Sequence, residues 1–239
     1  MFGLFGSKKK SLLDGGILQG ATDNHSHILY GVDDGVKTVE ESMKILHFYE
    51  EAGLQTLWLT PHVMEDVPNT TEGLKSRFAQ LQAAYEGQIR LKLAAEYMID
   101  TLFVERLRDK DLLLHGGDRV LMETSTWSPP IDLWEIIEEA LHVGYRPLIA
   151  HPERYRYMRV KDYERLKNMG CLLQLNLPSI VGVYGEETRA KAETLLDKGF
   201  YCMFGSDCHR SRALDSQVHA PVFKPDVLRK LEALKQGAE

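Results

Sequence analysis

Short apolar runs alternate along this chain with longer stretches of helical period. The β-like runs are ATDNHSHI (21–28), QTLWLTPH (55–62), IRLKLAAEY (89–97), RVLMETS (119–125), RPLIAH (146–151), CLLQLNL (171–177) and YCMFGSD (201–207). Several are almost continuously apolar, as strands of a parallel sheet covered on both faces should be. Amphipathic stretches between them predict helices over 38–52, 71–86, 101–109, 131–143, 161–169, 185–198 and 225–236. Thr38 and Glu41 form a T-x-x-E capping box at the first helix, and Gly53 stops it. Gly144, Gly170 and Gly199 each close a helical run before a strand. Seven β–α units predict a distorted (β/α)7 barrel, one unit short of a TIM barrel, with a doubly wound open sheet as the alternative. Residues 1–20 read as an N-terminal extension and 21–239 as one barrel domain. Either architecture puts chemistry where strands end and βα loops begin.

The polar residues fall at those ends. Strand one delivers His25 and His27, strand two His62, strand three Glu96, strand four Glu123, strand five His151, and strand seven Asp207 and His209; Asp34 lies in the loop after strand one. An H-x-H pair puts both imidazoles on one strand face, yet alone it is a weak metal signal. Six of seven strands ending this way is a stronger one, because buried charges are paired or metal-bound. His47 and His142 fall in predicted helices, and His115 and His219 in predicted loops; all four read as ordinary residues.

Imidazoles and carboxylates without thiolates suit manganese, iron or zinc in a catalytic rather than a Cys-type structural site. Nine candidate ligands imply two or three ions. Clustered ions acidify a bound water and clamp the attacking and leaving oxygens, which points to hydrolysis, with phosphate esters first.

Composition removes competing classes. The chain has 239 residues, 44% hydrophobic, and a net charge of −6, with no long basic run to suggest a nucleic-acid partner. Three cysteines without a CxxC pair exclude a disulfide framework and fit a reducing compartment. Positions six residues after Cys171, Cys202 and Cys208 hold Leu177, Cys208 and Leu214, so none has the arginine a cysteine-dependent phosphatase needs. Cys208, between Asp207 and His209, is turned away by strand alternation. There is no P-loop or G-x-S-x-G elbow. No apolar run approaches a membrane span, and MFGLFGSKKKS lacks the order of a signal peptide. Lys8, Lys9 and Lys10 read as a frayed tail; the sharper reading has Phe2, Leu4 and Phe5 dipping weakly into an anionic membrane.

DNHSHILYGVDDG, TPH, AAEY, HPERY and GSDCH, in this order, resemble the PHP (polymerase and histidinol phosphatase) superfamily. GVDDG followed by TVEES narrows the resemblance to the capsule-type bacterial protein-tyrosine phosphatases of the CpsB/YwqE group, over about Asp23 to His209. The resemblance implies a PHP-fold barrel and a trinuclear, manganese-supported site. By motif position His25, His27, Glu96 and Asp207 would hold one ion, Asp34, His62 and His209 a second, and Glu123 and His151 a third, with Glu96 bridging. It implies hydrolysis of phosphotyrosine by a metal-activated hydroxide, on the tail of a tyrosine autokinase of capsule or exopolysaccharide synthesis. The setting would be cytoplasmic, near the inner membrane face, and a homo-oligomer is compatible. Arg154 in HPERY would hold the phosphate, with Arg212 favoured over Arg210 as a second arginine. Arg156 and Arg159 read as surface residues and Asp33 as shaping the loop. MFGLFGSKKKSLLDGG has no assigned role, and MEDVPNTTEG borders substrate and oligomer contacts in relatives. The alternatives are a small-molecule phosphoesterase such as a histidinol-phosphate phosphatase, a metal-stabilised binding module, and, more remotely, an amidohydrolase, whose usual strand-end lysine is missing here.

Overall fold

The computed structural model describes residues 9–237. All strand pairs are parallel. One sheet has the order β1 (Thr22–Asp23), β2 (Thr56–Leu59), β4 (Arg90–Leu93). The other runs β3 (His62–Val63), β5 (Glu96–Met98), β6 (Arg119–Glu123), β7 (Arg146–Ile149), β8 (Leu172–Asn176), β9 (Met203–Gly205).

The predicted second and third strands are each split in two. Pro61, which has no N–H, interrupts the second. The pieces stay in line: Ala94 N donates to Leu59 O and Glu96 N to Pro61 O. The first strand is regular only at Thr22–Asp23, because beyond it the backbone serves both neighbours. Asn24 N donates to Phe204 O and His27 N to Cys208 O, while Thr60 N donates to Ser26 O. These bonds join the ends of the two sheets and close a distorted barrel of seven strand tracks, as predicted.

Helices cover the outside: α1 (Val39–Glu51), α2 (Thr71–Ala84), α3 (Thr101–Asp109), α4 (Leu133–Val143), α5 (Val160–Asn168), α6 (Leu177–Val181), α7 (Glu186–Asp197), α8 (Ser211–His219) and α9 (Pro225–Glu232). Thr38 Oγ1 accepts from Glu41 N, giving α1 its cap. Two helices were not anticipated. In α8 only Leu214 and Val218 are buried, too narrow a stripe to read, so His219 ends a helix rather than lying in a loop. The other, α6, is a single turn entered through Pro178.

Strand alternation sorts the side chains into two sets. Val120, Met122, Ile149, Leu173, Leu175 and Phe204 join the large core beneath the helices. Leu121, Leu148, Ala150 and Met203 form a separate apolar floor inside the barrel. The next inward residue after Leu121 is Glu123, so the floor lies under the predicted polar mouth.

The segment before the barrel packs against it. Lys10 pairs with Phe223 through two backbone hydrogen bonds, and Leu12, Ile17 and Leu18 are buried in the large core. The frayed-tail expectation is therefore corrected at Lys10, while Lys9 is exposed. Lys8 and the apolar residues before it lie outside the described residues. No helix among the described residues is long and apolar enough to cross a membrane.

Candidate metal centre

Nine strand-end and loop residues converge on one mouth of the barrel. Register places His62 beside Glu96 on adjacent strands. Glu96 is fully buried at the centre. Its Oε1 lies 2.9 Å from His151 Nε2, and its Oε2 lies 3.1 Å from His25 Nε2 and 3.2 Å from both His27 Nε2 and His62 Nδ1. Glu123 reaches His62 Nδ1 at 3.1 Å and His151 Nε2 at 3.5 Å. Asp207 Oδ1 stands 3.3 Å from His27 Nε2 and 3.6 Å from His25 Nε2. Towards solvent, Asp34 Oδ1 lies 3.3 Å from His209 Nε2 and 3.7 Å from His62 Nε2.

Three sets have donor atoms close enough to share an ion: His25, His27 and Glu96; His62, Glu96 and Glu123; and His27, Asp34, His62 and His209. Glu96, His27 and His62 each belong to two sets. The first set is buried, and the third opens to solvent through Asp34.

The hydrogen bonding of the two strand-one histidines tests whether cations fit. Gln174 Nε2 donates to Asn24 O, so Gln174 Oε1 is the acceptor facing His25 Nδ1 at 2.8 Å. His27 Nδ1 faces a carboxylate oxygen of Asp33 at 2.8 Å. Both Nδ1 atoms therefore carry hydrogen, and in the neutral rings both Nε2 atoms present lone pairs. Those two Nε2 atoms face each other at 3.0 Å. Lone pairs so placed repel unless a cation lies among them. His62 Nδ1 and Glu96 Oε2 are buried together without a hydrogen-bond partner, which makes the same point.

The electrostatics follow from this crowding. Burial disfavours the imidazolium of His27, but Asp207, Asp33 and Glu96 outweigh it and hold its pKa well above the ordinary value. Burial opposes His25 and His62 as well, yet neighbouring carboxylates raise both. Glu96 and Asp207 are pulled far down against their own burial by the surrounding imidazoles.

Two backbone features hold the mouth in shape. His151 and Asp207 have left-handed φ values of 34° and 52°, strain that non-glycine residues carry mainly at functional sites. A Cβ at Gly35 would sit 2.0 Å from His27 O, and one at Gly205 would sit 2.4 Å from His25 Cβ. The glycines of GVDDG and GSDCH thus let other chain segments lie directly against the two histidines.

Other residues complete the centre. Asp33, read from sequence as a loop-former, does accept from Gly35 N and His62 N, but it also orients His27. Strand six, which seemed to contribute nothing, supplies Gln174 to His25 and Asn176 Nδ2 to Asp207 Oδ2 at 2.9 Å. The signal was legible as polar residues at alternate positions in LLQLN. Arg154 NH1 lies 3.1 Å from Asp207 Oδ2, with its guanidinium 4.4 Å from the Tyr184 ring centre. Arg212 is in the first turn of α8, lining a cleft with Lys44, Ile45 and Phe48 of α1. Among the described residues, neither Arg212 nor Arg210 is hydrogen-bonded or ion-paired to the histidine–carboxylate cluster. Cys208 is buried, with Sγ towards Arg210 O.

A closed parallel barrel with such a cluster at the carboxyl ends of its strands has the architecture of the metal-dependent hydrolases. Residues 21–221 match the family described as capsular polysaccharide synthesis, CpsB/CapC. The chain is 31% identical to the tyrosine-protein phosphatase CpsB of Streptococcus agalactiae over 175 residues, covering 66% of this chain and 68% of that one. It is 29% identical to CpsB of Streptococcus pneumoniae over 231 residues, covering 91% and 93%. Its fold is also similar to that in a crystallographic study of Bacillus subtilis YwqE and S. pneumoniae CpsB, described as metal-dependent tyrosine phosphatases. There the TM-score is 0.76 at 21% identity, over 91% of this chain and 99% of the other. The chain belongs to the CpsB/CapC family.

Proposed function

We propose that this protein is a metal-dependent protein-tyrosine phosphatase, a phosphoric monoester hydrolase that converts phosphotyrosine and water to tyrosine and phosphate. The observation that carries the reading is Glu96, a buried carboxylate with four imidazole nitrogens crowded on its two oxygens. Family membership supplies the substrate class, since the matched relatives are named tyrosine-protein phosphatases.

Bound divalent ions supply an acidified water as nucleophile and neutralise charge on the phosphoryl oxygens. We assign three manganese ions to the centre: His25, His27, Glu96 and Asp207 would hold one, Asp34, His62 and His209 another, and Glu123 and His151 the third, with Glu96 close enough to serve more than one. Gln174 and Asp33 keep the lone pairs of His25 and His27 directed inwards. Arg154 grips phosphoryl oxygens through its planar fork, positioned by Asp207 and Tyr184. Burial opposes the Arg154 charge, but Asp207 outweighs it and keeps the guanidinium protonated. The phosphotyrosyl partner we infer is a tyrosine autokinase tail at the inner face of the membrane, reached from the cytoplasm. The three free cysteines fit that reducing setting.

The test is phosphate release from a phosphotyrosyl peptide by protein stripped of metal and then given Mn²⁺. Activity should vanish on stripping, return with Mn²⁺, and be lost in His151→Ala. Full activity of His151→Ala would refute the site. A preference for histidinol phosphate over the peptide by orders of magnitude would instead select the small-molecule phosphoesterase.

A further inference from the structure

The rim of the mouth carries an aromatic side chain that the proposed chemistry does not use. Trp127 lies four residues beyond Glu123, in the loop from β6 to α4, and is 68% exposed. In the same loop Ile131 is 99% exposed. Large apolar side chains this bare contribute little to a core, and in a loop that leads from the strand carrying Glu123 they are candidates for contact with a partner.

The loop is built to hold the indole still. Pro129 and Pro130 stiffen it. Tyr155 OH accepts from Thr124 N, Thr124 Oγ1 bonds the Tyr157 hydroxyl, and Arg156 N donates to Thr126 O. These bonds tie the loop to the segment carrying Arg154. The Arg156 guanidinium then stacks 3.8 Å from the Trp127 ring centre. Arg154 and Arg156 also line one cavity of about 240 Å³ with Tyr184 and Lys191. The surface is therefore continuous from the phosphate-holding arginine, through Arg156, to the exposed indole. Guanidinium covers one part of the Trp127 ring, and the remainder is open to stack against a peptide plane or an apolar side chain.

Building on the phosphatase reading, we propose that Trp127, backed by Arg156, contacts the polypeptide flanking the phosphotyrosine and so favours protein substrates over small phosphate esters. The occupant is an extended segment of the substrate chain. A free phosphotyrosine has no flanking polypeptide to offer that indole.

The experiment compares Trp127→Ala and Trp127→Phe with the wild type, all loaded with Mn²⁺, on a phosphotyrosyl peptide, free phosphotyrosine and p-nitrophenyl phosphate. In Trp127→Ala, kcat/KM for the peptide should fall at least about tenfold, chiefly through KM, with both small esters within about twofold of wild type. Trp127→Phe should restore most of the loss. No change on the peptide, or an equal fall on all three substrates, would overturn the proposal while leaving the phosphatase reading intact. So would sedimentation showing that Trp127→Ala only dissociates an assembled wild type without altering peptide turnover. A wild type inactive on every phosphoester would refute the phosphatase reading itself.

Discussion

Asp33→Asn tests whether the centre depends on the group that orients His27. The Asp33 carboxylate is buried and accepts from His27 Nδ1 at 2.8 Å, His62 N at 3.0 Å and Gly35 N at 3.0 Å. Asparagine has nearly the same shape but only one acceptor oxygen. If that oxygen serves His27 and His62, the new amide confronts Gly35 N–H. If it serves Gly35, the amide confronts His27 and favours the tautomer with hydrogen on Nε2, the atom needed by the metal. Either way a buried donor loses its acceptor, at a cost of about 1–3 kcal/mol to the metal-free fold. Loss of an orienting partner should weaken metal binding about 10–100-fold.

A second effect works in the opposite direction and sets the assay conditions. Asp33 helps raise the pKa of His27, so its removal also eases proton competition for the ring. Mn²⁺ affinity should therefore be measured in alkaline buffer, where that competition is weak, by the electron paramagnetic resonance signal of free Mn²⁺. Urea unfolding of metal-free protein reports the stability separately. Burial opposes ionisation of Asp33, but His27 and the backbone amides outweigh it and lower its pKa. Its contribution to the metal-free fold is thus complete above the ordinary carboxylate pKa and lost as pH falls through the lower folded value. Asp33→Asn should lack that acid-sensitive contribution. Mn²⁺ affinity within twofold of wild type, with unchanged metal-free stability, would refute the orienting role.

Mn²⁺ binding should release protons near neutral pH and tighten as pH rises through the raised pKa values of His25, His27 and His62, because the ion needs their lone pairs; calorimetry in buffers of different ionisation enthalpy measures this, and pH-independent affinity would contradict it. In the metal-free protein those raised values stabilise the fold below the ordinary histidine pKa, and that contribution is lost as pH rises through the folded values. Gly205→Ala should cost about 1–3 kcal/mol and displace His25, since the new methyl would lie 2.4 Å from its Cβ; urea unfolding and Mn²⁺ titration would register both effects. Leu12→Ala should cost about 2–5 kcal/mol in urea unfolding, because Leu12 is buried in the main core although it precedes the first strand.

The strand-end residues were legible because a parallel barrel turns position along a strand into depth in a mouth. One imidazole or carboxylate per strand end then implies convergence without knowledge of any distance. Supporting residues carry no such positional mark. Gln174 and Asn176 sit within an apolar strand, and their value lies in the partners that barrel closure brings from about 150 and 31 residues away. Arg212 shows the converse. The motif resemblance alone offered it for the phosphate, and it stands in the first turn of α8, lining a cleft with residues of α1, with no hydrogen bond or ion pair to the cluster among the described residues to mark the role. Arg156, set aside as a surface residue, is exposed, yet it stacks on Trp127, which lies 29 residues earlier in the loop after β6.

The adjacent aspartates of GVDDG show where sequence pattern stops being sufficient. Two adjacent carboxylates in one loop do not both sit behind the same ring, so one backs His27 and the other serves the open side of the centre. Pattern alone does not say which, nor that the hidden one has a task. In the fold Asp33 is buried beneath His27, while the Asp34 side chain is 70% exposed and stands between His62 and His209. Val36 N donates back to His27 O, and Gly35 packs against that same carbonyl. The loop thus holds His27 through ring, backbone and close contact together. That makes GVDDG a mechanical unit of the centre, and explains why it is more specific than the H-x-H pair it supports: two histidines on a strand need only alternation, whereas this loop is useful only when wrapped around one of them.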